Sequence, residues 1–326
     1  MAANQPMSLF VLNDLIADLS LRIARFPIAA KDLPKVSYIE LGPGGACNVA
    51  IMAARLGLTV VGLGEVGHDR FGLVVREGLR REGVDISPLV AFPETRTPVA
   101  GVIVDEATEP AYLGYPGHLM LHSLPSAWRE AIPKAQALFT DGWAEHEGVV
   151  AMALEALELA ARAGVPTFFD PGPGNPALDN AWHRQAAALA TVVLANEEEA
   201  WRLTGQADGL EAARGLLALG CRWAVIKRGP AGCLIVTRQE LALSPGFPVA
   251  AVDATGAGDS LAATIIWGYL RGIDLPTLAT LANATGAAKV QKRGTGHNMP
   301  TRDEIAAVLT RFGLPAPPFA STAPYS

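Results

Sequence analysis

Short runs of apolar, often β-branched residues alternate along the chain with longer stretches rich in Ala and Leu. Leu9-Phe10-Val11-Leu12 reads as a buried strand and the Ala-rich stretch 47–56 as a helix. The same reading gives a strand over 59–63, a helix over 70–82, a strand over 137–140 and a helix over 148–163. Further on come strands over 166–169, ending at Asp170, and 191–194, ending at Asn196. A helix over 210–219, strands over 223–226 and 233–236, and two long helices over 260–270 and 276–291 complete the pattern. Strands alternating with helices of this length predict an α/β fold: a doubly wound, mostly parallel central sheet with helices on both faces. In such folds ligands bind beyond the carboxyl ends of the strands.

One region breaks the rhythm. Residues 98–104 and 111–114 read as a hairpin with no helix between them, and 36–40 as an isolated strand. These pieces predict either a small sheet over the mouth of the main domain or an ordinary extension of the main sheet. The Pro-rich end from 314 to 326 predicts an extended or disordered tail.

Composition changes the picture in three ways. With 326 residues, half of them hydrophobic, the chain can bury a core without disulfides or a structural metal. A net charge of −6 argues against a generic nucleic-acid binder, though not against a ligand that brings its own negative charge. Cys47, Cys221 and Cys233 form neither a disulfide framework nor a zinc pattern and predict buried, reduced thiols. No signal-peptide pattern opens the chain and no apolar run is long enough to span a bilayer, so the expectation is a cytoplasmic protein with no membrane partner.

Five stretches could carry chemistry. The most specific is Asp253-Ala254-Thr255-Gly256-Ala257-Gly258-Asp259-Ser260, directly before a helical run. Small residues allow close backbone approach, and free amides at a helix start attract anions. A carboxylate there, Asp259, suits a base that takes the proton of an attacking hydroxyl while the amides meet a moving phosphoryl group. A flexible loop capped by Asp is the plain alternative. Lys227 to Gly232 is a Gly-punctuated turn at a strand end, suited to a nucleotide phosphate or simply to a tight turn. Asn196 to Glu199 opens a helix with acids, which suits the helix dipole; Asn196 and Glu199 would also suit the water shell of Mg²⁺. Gly44, Gly45 and Asn48 precede a helix and suit a hydroxylated ligand, or a simple cap. Finally, Gly62-Leu63-Gly64-Glu65-Val66-Gly67, with Glu82 further on, meets the dinucleotide-binding pattern on paper, yet on a later strand than the first. The Walker-type phosphate loop is absent.

Together these residues resemble the ribokinase-like (phosphofructokinase B-type, PfkB) carbohydrate kinase family, from about residue 8 to about residue 309. The family's D-T-x-G-A-G-D signature matches Asp253 to Asp259, with Ala254 second and Thr255 third. The resemblance implies Asp259 as general base and Gly256, Ala257 and Gly258 as anion hole. It implies an ATP site at Asn196, Glu199, Lys227, Gly229, Gly232 and Asn283, with Mg²⁺ held through water by Asn196 and Glu199. It also implies an acceptor site at Asp18, Gly44, Gly45 and Asn48; Trp143, near it, would either stack on a ring or belong to the core. A monovalent cation such as K⁺ would lie near Asp253 and Thr255, and the small sheet would act as a lid and dimer contact.

Departures are visible too. Gly44-Gly45 lies one residue closer to Asn48 than in the usual G-G-x-x-x-N. Ile16 stands where ribokinases tend to place Asn, Asn13 replaces a Gly, and 170–174 lacks the Arg often found there. The expectation is a single kinase domain over 1–313, with a lid from about 14–42 and 95–118 and a tail over 314–326. Its activity would be ATP-dependent phosphorylation of a sugar-like hydroxyl. A nucleoside kinase is the alternative; an NAD-dependent dehydrogenase and a non-catalytic sugar sensor are more remote.

Overall fold

The structure is a computed structural model that describes residues 8–106, 110–144, 146–173, 181–315 and 319. The strands, in chain order, are β1 (Ser8–Leu12), β2 (Leu15–Arg22), β3 (Tyr38–Gly45), β4 (Thr59–Leu63), β5 (Val99–Val104) and β6 (Pro110–Tyr115). They continue with β7 (Ala137–Asp141), β8 (Thr167–Asp170), β9 (Val192–Asn196), β10 (Trp223–Lys227), β11 (Cys233–Thr237) and β12 (Leu241–Ser244). The helices are α1 (Ala46–Arg55), α2 (Arg70–Arg81), α3 (Ser126–Ala131), α4 (Glu147–Arg162) and α5 (Ala181–Leu189). After them come α6 (Glu197–Thr204), α7 (Gly209–Leu219), α8 (Ala257–Arg271), α9 (Leu275–Val290) and α10 (Arg302–Arg311).

The main sheet has eight strands in the order β12-β11-β10-β9-β8-β7-β1-β4. All its pairings are parallel except β10 with β11 and β11 with β12. Alternate residues feed opposite layers, as the period of two requires. Val192 and Leu194 join the core under α1, α2, α8, α9 and α10; Val193 and Ala195 join the core under α3 to α7. The chain leaves β1 for β4 on one side and later returns to β7 on the other. That reversal opens a crevice at the carboxyl ends of the strands. Asp141, Asp170, Asn196 and Lys227 are each the last residue of a strand and line that edge.

The pieces that break the alternation form a separate four-stranded sheet, order β3-β2-β5-β6. It is not an extension of the main one. The predicted hairpin is β5 against β6, and the isolated strand is longer than expected. Its glycines, expected as loop, continue β3 up to Gly45 and pair with β2, with Gly44 opposite Ile16 and Gly42 opposite Asp18. Pairing register puts Leu19, Leu21, Ile39, Leu41, Leu113 and Tyr115 on one face of this sheet. Asp18, Ser20, Glu40 and Gly42 lie on the other.

Three smaller differences matter. Helix α8 starts at Ala257, earlier than the 260 expected, because Gly256 adopts a left-handed φ of 76° that turns the chain into the helix. The tail is docked where it is described: Phe319 is buried edge-to-face on Trp267, their centroids 5.3 Å apart; 316–318 and 320–326 lie outside the described residues. All three cysteines are buried and free, as expected. No helix among the described residues is long and apolar enough to cross a membrane.

Candidate active site

The start of α8 sits at the open end of the crevice. No side chain caps this helix. The Ala257 amide turns back to the Ala254 carbonyl at 3.2 Å, so of the three residues read as an anion hole it is already engaged. The amides of Gly258 and Asp259 have no partner among the described residues and are open to an anion. Asp259 is the third residue of the helix. Its Oδ2 accepts from Asn48 Nδ2 at 2.9 Å, and Asn48 Oδ1 accepts from the Gly296 amide at 2.9 Å. Asn48 therefore fixes the carboxylate against the start of α1. Burial pushes the Asp259 carboxyl up to about 6; Asp170 adds to this, while Asn48, Lys227 and Lys289 oppose it.

Around Asp259 the predicted acceptor residues converge. Asp18 is buried, and its Oδ2 accepts from the Thr295 hydroxyl at 2.7 Å. Burial, with Asp259 and Asp253 nearby, raises it to about 7 against the Thr295 bond. Gly44 is required by that carboxylate, since a Cβ there would lie 1.9 Å from Asp18 Cγ. Gly45 has a φ of 56°, and a Cβ there would strike Asp14. Trp143 stands beyond the end of β7, 39% exposed and against Gly172, so it is a rim residue and not part of the core.

Toward β9 and β10 lie the residues read as the nucleotide side. Asn196 and Glu199 form a reciprocal capping box, their side chains 2.8 Å apart and each taking the other's backbone amide. Lys227 Nζ pairs with Asp170 Oδ2 at 2.7 Å and lies 3.7 Å from Glu199 Oε2. It also lies 3.5 Å from where a Gly258 Cβ would be, and so reaches the open helix start. Burial works against its charge, but Asp170 and Glu199 outweigh that and raise its pKa. Asp170 itself is raised by burial to about 6, with Lys227 opposing. Gly229 has open space above it, whereas Gly232 packs on the backbone of Ser244 and Gly246. Asn283 donates to the carbonyls of Ser244 (2.8 Å) and Pro245 (3.3 Å), so it shapes that wall and keeps little free for a base.

The last predicted group is Asp253 with Thr255. Asp253 Oδ1 takes the Thr255 amide and Oδ2 the Gly294 amide, at 2.9 and 2.8 Å. A fully buried lysine, Lys289, shares this corner, its charge facing Asp253 and Asp259. Sequence reasoning missed Asp170, Lys289 and Thr295 as site residues. Asp170 was visible as a strand end and as the start of the 170–174 stretch that lacks the family's Arg.

The dinucleotide-like stretch is not a site. Glu82 sits at the far end of α2, bonded to Arg55 at 2.6 Å, away from the loop it would have to serve. Gly67 is backed by Thr95, with only 2.5 Å from a Cβ to its carbonyl, and Glu65 is spent on the amides of Met120 and Leu121.

Fold and crevice together define an α/β enzyme with its polar groups gathered at strand ends. The chain belongs to the pfkB family carbohydrate kinases, whose description it matches over residues 8–302. It is similar to a ribokinase of Mus musculus, 29% identical over 92% of this chain and 94% of the other. It is also similar to a nucleoside kinase of Methanothermobacter thermautotrophicus, 28% identical over 85% and 88% of the two chains. The structure of Arabidopsis thaliana ribokinase complexed with ribose and ATP shares the fold, with a TM-score of 0.78 at 22% identity, covering 93% of this chain and 98% of the other. The protein is thus a phosphotransferase with an alcohol group as acceptor, a sugar or nucleoside kinase.

Proposed function

We propose that the protein transfers the γ-phosphate of ATP to a hydroxyl of a sugar-like molecule, with Asp259 as general base. The observation that carries this is a buried carboxylate, held by Asn48, beside two open amides at the start of α8. The acceptor would bind against Asp18, Gly44, Gly45 and Asn48, one hydroxyl directed at Asp259. As its oxygen attacks the phosphorus, its proton passes to the Asp259 carboxylate and the bond to the ADP oxygen breaks. The amides of Gly258 and Asp259 and the ammonium of Lys227 meet the charge on the transferred group.

The nucleotide would extend along Gly229, Gly232 and the wall held by Asn283. Mg²⁺ would supply charge neutralisation on the phosphates. No cluster among the described residues could ligate a metal directly, and Asn196 and Glu199 bond each other, which fits contact through water. The small sheet serves as a lid within one kinase domain, since Asp18 lies on its inward face. Its outward face exposes Ile39 (67%) and Leu113 (65%), which supports a homodimer through the lid. A nucleoside acceptor is the second reading, favoured by the exposed ring of Trp143.

The test is ADP release by purified protein against sugars, sugar acids and nucleosides. With the best acceptor, Asp259→Asn should cut turnover by about 100-fold or more while ATP affinity stays near that of the native chain. Near-normal turnover in that variant removes Asp259 as the base. Failure of every acceptor to release ADP, with ligand still bound, would favour a sensor.

A further inference from the structure

Lysine is almost never fully buried unless paired. Lys289 has no exposed surface, and among the described residues the one hydrogen bond of its Nζ goes to the Lys292 carbonyl at 3.3 Å. Its compensation must come from charge, and the carboxylates it faces are Asp253 and Asp259. Its place in the fold is tightly set. The end of α9 holds the Asp253 turn, because the Val290 carbonyl accepts the amides of Val252 (2.7 Å) and Asp253 (3.1 Å). The side chain then runs beneath the turn into α8, where Cε lies 3.4 Å from the position of a Gly256 Cβ. A positive charge thus sits below the N-cap of the anion-binding helix.

This corner is where the family resemblance expected a monovalent cation, but a buried ammonium already stands there. Asp253 accepts one amide on each oxygen, and the buried Thr255 hydroxyl has no partner among the described residues. A second unit charge beside a buried ammonium would be repelled in a low dielectric. We propose that the Lys289 ammonium is a tethered counter-ion that does the work of a bound K⁺, so that this kinase needs no monovalent cation. It keeps the Asp253 to Gly256 turn in place and offsets Asp259 behind the transferred phosphoryl group. Lys289 touches no reacting atom in this scheme; it is a positioning residue. Burial, with the charge of Lys292 adding to it, lowers its pKa to about 8 against the pull of Asp253 and Asp259, which leaves it mainly charged at neutral pH. The proposal rests on the kinase reading for its activity arm alone.

The experiment compares KCl with N-methylglucamine chloride at equal ionic strength. The native protein should show the same rate of ADP release in both, and the same melting temperature. Activation of about tenfold or more by K⁺ would overturn the proposal. Lys289→Ala removes the charge and leaves room. It should be slower by about tenfold or more in N-methylglucamine and recover with K⁺ or NH₄⁺. KCl should raise its melting temperature by a few degrees, about 1 kcal/mol or more of cation binding. Lys289→Met fills the space without charge and should be slow and not rescued. Lys289→Ala that is slow but indifferent to every cation, by rate and by melting, would mean a purely structural lysine and overturn the proposal. If neither variant folds, the native comparison still decides. If no acceptor is phosphorylated the kinase reading fails, while the melting arm still reports on Lys289.

Discussion

Asp18, Asp170 and Asp259 are three buried carboxyls within one crevice, each raised by burial above its ordinary range. A raised acid holds its proton more tightly in the folded state than in the unfolded one. Its stabilising contribution is therefore full below the unfolded value, near 4, and is lost as pH rises through the folded value. For Asp18, raised to about 7, the ionised form costs up to about 4 kcal/mol. Melting temperature should fall between about pH 4 and pH 7, and Asp18→Asn, which keeps an acceptor for Thr295, should flatten that fall and melt higher at pH 8. An unchanged slope in the variant, followed by scanning calorimetry, would mean that Asp18 is not the group responsible. In the proposed mechanism this charge would serve the chemistry and acceptor binding.

At this scale the sequence was legible where residue type and spacing carry the role. The motif residues are brought together: Asn48 bonds Asp259, and Gly44 lies against Asp18. Lys289 was not legible, because a lysine near a helix C-terminus ordinarily reads as a solvated partner of the dipole. Only the packing of α9 under the Asp253 turn makes it interior.

Among elements, the alternating pattern placed the parallel strands and most long helices, since burial on both faces leaves continuous apolar runs. It missed β2. That strand opens directly after Asn13 and Asp14, both at positive φ, and although 17–22 alternates apolar and polar residues, it buries the polar Asp18 and Ser20. It also missed β12, α3, α5 and α10, which are short or carry a weak apolar period. The pairing of β2 with β3 gives a sharp expectation. In Gly44→Ala the new methyl would overlap the Asp18 carboxylate, so the carboxylate or the strand must move. The acceptor KM should rise by about tenfold or more with ATP KM unchanged, since β9 and β10 do not touch this pair. Steady-state kinetics with each substrate varied in turn checks it; an equal rise in both constants would contradict this division of the crevice.

For the molecule as a whole, fold class was fixed by rhythm, whereas the separateness of the small sheet followed from register that no periodicity reveals. Its apolar outward face makes a testable assembly. Leu113→Asp together with Ile39→Lys should convert a dimer to a monomer without loss of helical signal, by light scattering and circular dichroism. A native chain that is already monomeric at micromolar concentration would remove the lid contact. The net charge of −6 acts at this scale as well. In the proposed function, attraction for ATP would come from local groups, the α8 amides and Lys227.

The small sheet meets the main one at the Asp14 turn. The Asp14 carbonyl accepts both the Ile16 amide, where β2 begins, and the Ala46 amide, where β3 has just ended. Both strands are thus anchored at Asp14, and β2 is tied down again at its far end, where Arg22 donates to the Val252 carbonyl at 2.8 Å. Asp18 lies between the two ties, about 13 Å from the first at roughly 3.3 Å per residue. A strand pinned at both ends holds that carboxylate in register with the main sheet while Ile39 and Leu113 stay exposed on the small sheet's other face.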